Sequence, residues 1–282
     1  MSETARTTPH HVITEGPVLL ECADGVATLT LNRPEAANGM NVALMKALYE
    51  AAMACHKYPG LRVVVLKGAG KNFCAGGDIR EFAAQGDAIP DYMREVTAYL
   101  QAAVGVLIRL NAIVITRVQG FAAGGGGLGL VCASDIVIAG NSAKFLAGAT
   151  RVAMVPDAGA SVILPHLVGF RRAMEILVSN RVIPAEEAEK IGLITRMVAD
   201  DALDDEVTAM AKRVAAGAPI ALANMKRTLS LVRPLCQRSA KAASQASASA
   251  AAVVLQARAS PKAAPAQSAS RRPPPSARRT SQ

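Results

Sequence analysis

Three short, almost uninterrupted apolar runs constrain this fold more than anything else in the chain: residues 62–67 (RVVVLK), 112–118 (AIVITRV) and 135–139 (DIVIA). A strand that is apolar at every position, rather than at every second one, buries both of its faces. That is the pattern of parallel strands covered by helices on each side. Helical spacing between the runs agrees. Leu44, Ala47, Leu48 and Ala51 repeat through 41–57, with Asn41 as a candidate cap, and 90–110 reads as one long helix. Residues 169–179, 184–190, 200–216 and 220–231 read as four more. Upstream, 18–22 and 26–32 are β-rich runs around Ala23-Asp24-Gly25, the signature of a hairpin with an Asp-Gly turn. Strands alternating with helices predict an α/β fold.

Charge and cysteine usage narrow the function classes. The chain carries a net +9, but residues 1–229 hold 22 Lys+Arg against 22 Asp+Glu, while 230–282 hold nine Lys+Arg and no acid. The basic pI therefore belongs to the tail, and no basic face, hence no specific nucleic-acid partner, is expected of the folded body. The five cysteines (22, 55, 74, 132 and 236) are odd in number and lack a CxxC pair. That pattern predicts neither a disulfide framework nor a metal site, and it fits a reducing, cytoplasmic setting. The longest uncharged stretch, 118–134, is broken by six glycines, so no membrane partner is expected. The organisation read from these patterns is a flexible 1–15, an α/β core over 16–199, a C-terminal helical region over 200–232, and a basic Ala/Ser/Pro/Arg-rich tail over 233–282 expected to be largely disordered.

Two glycine-rich segments carry the candidate chemistry, KNFCAGGDIR (71–80) and VQGFAAGGGGLGL (118–130). Each follows a buried strand and precedes a predicted helix. Repeated glycine lets backbone approach a ligand and leaves N–H groups unshielded, although the same glycines also serve plain strand-to-helix packing. Gly124, Gly126 and Gly129 satisfy GxGxxG, but no acid stands about 20 residues further on to hold a ribose, so a dinucleotide site is not predicted.

Taken together with Leu31-Asn32-Arg33-Pro34, Asp135, Ala143-Lys144-Phe145, Pro156-Asp157-Ala158-Gly159, Gly169, Ala185-Glu186-Glu187-Ala188 and Gly192-Leu193-Ile194, the two segments resemble the crotonase superfamily, the enoyl-CoA hydratase/isomerase family. The resemblance spans about residues 16–229. It implies a crotonase-like spiral of ββα units with a C-terminal helical region, a homotrimer or hexamer, and an acyl-CoA thioester as substrate. Coenzyme A enters as part of that substrate and no separate cofactor is implied. Family members hold the thioester carbonyl with two backbone N–H groups. By motif position these are Gly77 and Gly125. The chain carries one residue more than usual between Gly120 and Asp135, so counting back from Asp135 gives Gly126 instead. Ala75, Gly77, Asp78, Ile79 and Arg80, with Gly125 and Gly126, match the family's substrate-binding stretch.

The resemblance also bears on the subclass. Hydratases of the family place one glutamate at the position of Leu128 or Gly129 and a second at Ala149, and this chain has no acid in 120–134 or 140–156. Two carboxylates are needed to position a water and relay its proton, so hydration is expected to be poor. Asp157 matches an aspartate that some isomerases of the family place beside the substrate, and it is the candidate acid/base; as a residue, it could equally cap the helix that follows. Two readings stay open: an enoyl-CoA double-bond isomerase, or a catalytically weakened acyl-CoA-binding member or weak hydratase. Residues 134–198 resemble the dehalogenase branch most, but the chain has no Trp and no His in 82–110 for that chemistry. Beyond Leu231 nothing resembles the family's usual C-terminal segment.

Overall fold

The computed structural model describes residues 10–232 apart from 153, 155 and 157, and every described residue lies in the unit Met1–Ser239. In chain order the elements are β1 (His10–Ile13), β2 (Val18–Ala23), β3 (Val26–Leu31), α1 (Val42–Cys55), β4 (Val63–Gly68), α2 (Ile79–Ala83), α3 (Ile89–Arg109), β5 (Ile113–Val118), β6 (Phe121–Ala123), α4 (Gly124–Ala133), β7 (Ile136–Gly140), β8 (Lys144–Leu146), α5 (Ala160–Val168), α6 (Phe170–Ser179), β9 (Ile183–Pro184), α7 (Ala185–Lys190), β10 (Arg196–Val198), α8 (Leu203–Ala215) and α9 (Pro219–Val232). A seven-stranded sheet runs β1-β2-β3-β4-β5-β7-β10, and a small one runs β6-β8-β9.

The β2–β3 hairpin forms where Asp-Gly stands. Asp24 and Gly25 both take positive φ (49° and 77°), as a two-residue turn between right-twisted strands requires. From β3 through β4, β5, β7 and β10 every pairing is parallel. The uninterrupted apolar runs are explained by β4. Val64 and Leu66 point into the larger core with Leu44 and Leu48 of α1 and Leu107 of α3. Val63 and Val65 point the other way, with Ile113 and Ile115, against Leu203, Val207 and Ala211 of α8. Strands β2 and β3 instead alternate buried with partly exposed residues, so only one of their faces is closed.

Two expectations need correction. Residues 10–13, read as part of a flexible 1–15, form β1, whose backbone pairs antiparallel with β2; polar side chains do not prevent an edge strand when the backbone pairs. The C-terminal helical region expected over 200–232 holds α8 and α9, and α8 closes one face of the sheet. The second glycine run does not precede a helix but is itself the first turn of α4. The expected tail, 233–282, lies outside the described residues.

One buried charge ties the C-terminal helix to the core. Lys226 of α9 is 4% exposed. Its ammonium donates to the carbonyls of Leu107 (3.1 Å) and Ala112 (2.8 Å) and sits 2.7 Å from the Asp135 carboxylate. The same carboxylate accepts the Val114 N–H at 2.9 Å. A charge so deeply buried is tolerable only with partners of this kind.

Candidate active site

After leaving β4 and β5 the chain zips together again. Phe73 N–H donates to Gln119 O (2.8 Å), Cys74 N–H to Phe121 O (3.0 Å) and Ala123 N–H to Cys74 O (2.8 Å). This register brings the two glycine-rich segments into contact. Gly76 and Gly124 take positive φ and pack backbone to backbone, so closely that a Cβ on Gly76 would fall 2.9 Å from Ala123 O and one on Gly124 would fall 2.9 Å from Gly76 Cα. No other residue fits either place.

Gly77, the first candidate donor, sits in extended backbone. Gly76 O accepts Met40 N–H (2.7 Å) and Asp78 N–H donates to Met40 O (3.0 Å), so Gly77 is pinned from both sides. Its own N–H points away from Met40 and has no acceptor among the described residues. A Cβ here would meet the Phe82 ring at 2.5 Å. Gly125 and Gly126, the alternatives for the second candidate donor, sit at a helix end. Ala123, at the N-cap of α4, supplies no side-chain cap, and the first N–H groups of any helix lack intrahelical partners. Gly126 to Ala133 are all buried, so α4 is a central helix with its uncapped, electropositive end at the site. Gly125 is partly exposed, whereas Gly126 is buried beneath the Met40 thioether, which lies where a Cβ would stand.

Both ends open on one cavity of about 230 Å³. Its walls include Met40, Phe82, Met93, Val96, Leu100 and Met154, and among its described lining residues none is acidic. Of the residues singled out from sequence, Ala75, Gly77, Ile79, Gly125 and Gly126 line it. Asp78 and Arg80 do not. The Asp78 carboxylate accepts Glu81 N–H to cap α2 (3.2 Å) and pairs with Arg33 (3.1 Å). Arg80 is exposed outside the cavity. Asp157 lies outside the described residues. The cap position of α5 two residues later is Gly159, with no side-chain cap. At the two hydratase glutamate positions the cavity wall offers the methyl of Ala149, while Leu128 is 1% exposed and Ala158 Cβ stands 2.4 Å from where a Cβ on Gly129 would be. Cys74 and Cys132 are buried, and burial pushes the Cys74 thiol up to about 12.

Sequence reasoning missed the cavity wall on α3. Met93, Val96 and Leu100 follow helical spacing, and that stripe was the available signal. It also missed a polar cluster behind the first segment. Glu81 accepts from Tyr92 OH (2.5 Å) and Asn41 Nδ2 (2.7 Å). Burial, and then the Glu81 carboxylate, push the Tyr92 phenol up to about 12.

Comparison with known proteins agrees with this architecture. The enoyl-CoA hydratase/isomerase family model matches residues 21–260, beyond the 229 at which the motif resemblance ends. A probable enoyl-CoA hydratase of Rhodobacter capsulatus is 37% identical over 73% of this chain and 78% of its own length. The 1,2-epoxyphenylacetyl-CoA isomerase of Escherichia coli is 35% identical over 75% and 81%. The crystal structure of an enoyl-CoA hydratase of Mycobacterium smegmatis, 32% identical, superposes with a TM-score of 0.73 over 88% of this chain and 93% of that one. With the spiral of strands and helices, the paired glycine segments and these matches in hand, the chain belongs to the enoyl-CoA hydratase/isomerase family of the crotonase superfamily.

Proposed function

We propose that this acyl-CoA-processing enzyme is an enoyl-CoA double-bond isomerase, with Gly77 and Gly125 as oxyanion donors and Asp157 as its single acid/base. The observation that carries the reading is that Gly77, whose N–H has no acceptor among the described residues, and Gly125, in the first turn of α4, line one mostly apolar cavity whose described lining lacks any acid. A base takes a proton from C2 of a 3-enoyl-CoA, and the electron pair moves toward the thioester oxygen. Two N–H donors and the positive end of α4 favour that oxyanion. The enolate collapses as the same proton is returned at C4. The double bond moves from C3–C4 to C2–C3, with no net gain or loss of atoms or electrons. One carboxylate suffices for this traffic, whereas hydration needs a second. Gly125 is preferred to Gly126 because it is the more exposed of the two toward the cavity.

The steric closure at Gly129 and the methyl at Ala149 support the isomerase over the hydratase, as does the relative named as an isomerase. The gap in acids among the described lining residues also favours a second reading, an acyl-CoA binder or weak hydratase of low turnover. Turnover of 3-hexenoyl-CoA against 2-hexenoyl-CoA separates the readings. Asp157→Asn keeps size and is expected to lower isomerase kcat by about 10²-fold with KM little changed. Near-wild-type kcat in that variant, or hydration faster than isomerisation in the wild type, overturns the assignment.

A further inference from the structure

We propose that Glu81 and Tyr92 are positioning residues for the Gly77 N–H, although neither lines the cavity. The inference rests on Gly77 acting as an oxyanion donor.

Helix α2 has five residues, too few to hold a helix by its own hydrogen bonds. It nevertheless frames the site from both ends. Gly77 precedes its cap Asp78, and Phe82 presses its ring toward the Gly77 Cα. The Glu81 carboxylate joins this short helix to its surroundings. Oε1 accepts the Tyr92 hydroxyl of α3 at 2.5 Å, and Oε2 accepts Asn41 Nδ2 at 2.7 Å. Arg33 stands 3.7 Å from Glu81 and 3.1 Å from Asp78, and also donates to Gly39 O. Asn41 in turn caps α1 by accepting Leu44 N–H at 2.9 Å, and Tyr92 OH accepts Val42 N–H at 3.4 Å. One carboxylate thus links α1, α2, α3 and the loop that carries Arg33. The coupling reaches the cavity through aromatic contact, because the Phe82 ring packs edge-on against Tyr92 at 6.0 Å.

Magnitudes separate positioning from mere stability. The Glu81 side chain is 33% exposed, and ion pairs of that exposure contribute little to folding. Oxyanion stabilisation is far more sensitive, since donors must lie within about 2.7–3.1 Å of the developing charge. An ångström of misplacement costs up to about 10²-fold in rate.

Tyr92→Phe keeps the ring contact and removes the hydroxyl, and Glu81→Gln keeps the shape and removes the charge. With 3-hexenoyl-CoA, each is expected to lower kcat by about 10-fold or more while KM stays within about twofold. The infrared carbonyl band of bound, carbon-13-labelled hexanoyl-CoA should move part of the way back toward its position in water. Arg94→Ala, which breaks only an exposed pair with Asp91 on α3, should change neither. Wild-type kcat and an unmoved band in both variants would overturn the proposal. So would a loss of activity accompanied by a collapse in Tm, which is the mark of a structural role. A wild-type protein that leaves the carbonyl band unshifted would instead overturn the oxyanion reading of Gly77 itself.

Discussion

The two glycine segments reach the same cavity by opposite means. The first is held by side chains. Asn38, fully buried and at φ 56°, spreads its amide over the carbonyls of Ala69, Asn72 and Phe73 and accepts Arg33 N–H, while Glu81, Asn41 and Arg33 fix the short helix behind Gly77. The second is held by the lack of side chains. Gly124 and Gly127 let α4 sink against the first segment, Gly126 makes room for Met40, and no side chain caps the helix. The difference teaches where each segment is vulnerable: both to addition of a carbon at their touching glycines, and the first also to deletion of a polar atom.

The largest expected effect tests the first half of that contrast. Asn38→Ala removes the amide shared by the Ala69, Asn72 and Phe73 carbonyls, of which only Asn72 O keeps a donor in Gln119, and the acceptor of Arg33 N–H; it should cost about 3 kcal/mol or more. For a chain of this size that is a fall in Tm of roughly 6–12 °C by calorimetry. A loss under a degree would show that the loop holds itself. Gly127→Ala tests the other half. Alanine ordinarily gains about 1 kcal/mol over glycine inside a helix. Here its Cβ would lie 2.5 Å from Cys74 O, a backbone atom that cannot swing aside. Overpacking of this kind costs about 1–3 kcal/mol, so a net loss is expected, and a stabilised variant would break the contrast.

The smallest effect sharpens the contrast through pH. The Tyr92 phenol is raised from 10.0 to about 12 in the folded protein, so folding favours its neutral, donating form. Its contribution is complete below pH 10 and lost as pH rises toward 12. Chemical denaturation of wild type and Tyr92→Phe should differ below that window and converge through it. A stability difference that stays constant across the window would mean that the hydroxyl bond does not hold the first segment.

The chain announced its sheet and hid its cavity, for one reason. Apolar runs such as 62–67 and the Asp-Gly turn act through neighbours in sequence, so the buried strands, the hairpin, the Asn41 cap and the α/β class could be read from the chain, whereas the order of the strands in the sheet could not. That Gly77 and Gly125 would come to one cavity was legible because glycine repeated beside a buried strand is a local pattern that matches a family motif; their role as donors remains a proposal. The partners of the Asp78 carboxylate were not legible, because a carboxylate next to a glycine motif carries no label for whether it faces a cavity or caps the next helix; Arg33, 45 residues away, decided that. β1 was missed because backbone pairing with β2 needs no apolar side chains.

By itself, then, the order of residues determined the class of fold, the family and the absence of both hydratase glutamates, since each depends on which residue stands where. Only the tertiary structure decided that Gly76 and Gly124 touch, that Gly129 has no room for a longer side chain, and that Lys226 belongs to Asp135. Such contacts join positions tens of residues apart. Their energies depend on distances of a few ångströms, which exist only once the parallel strands have brought those positions together.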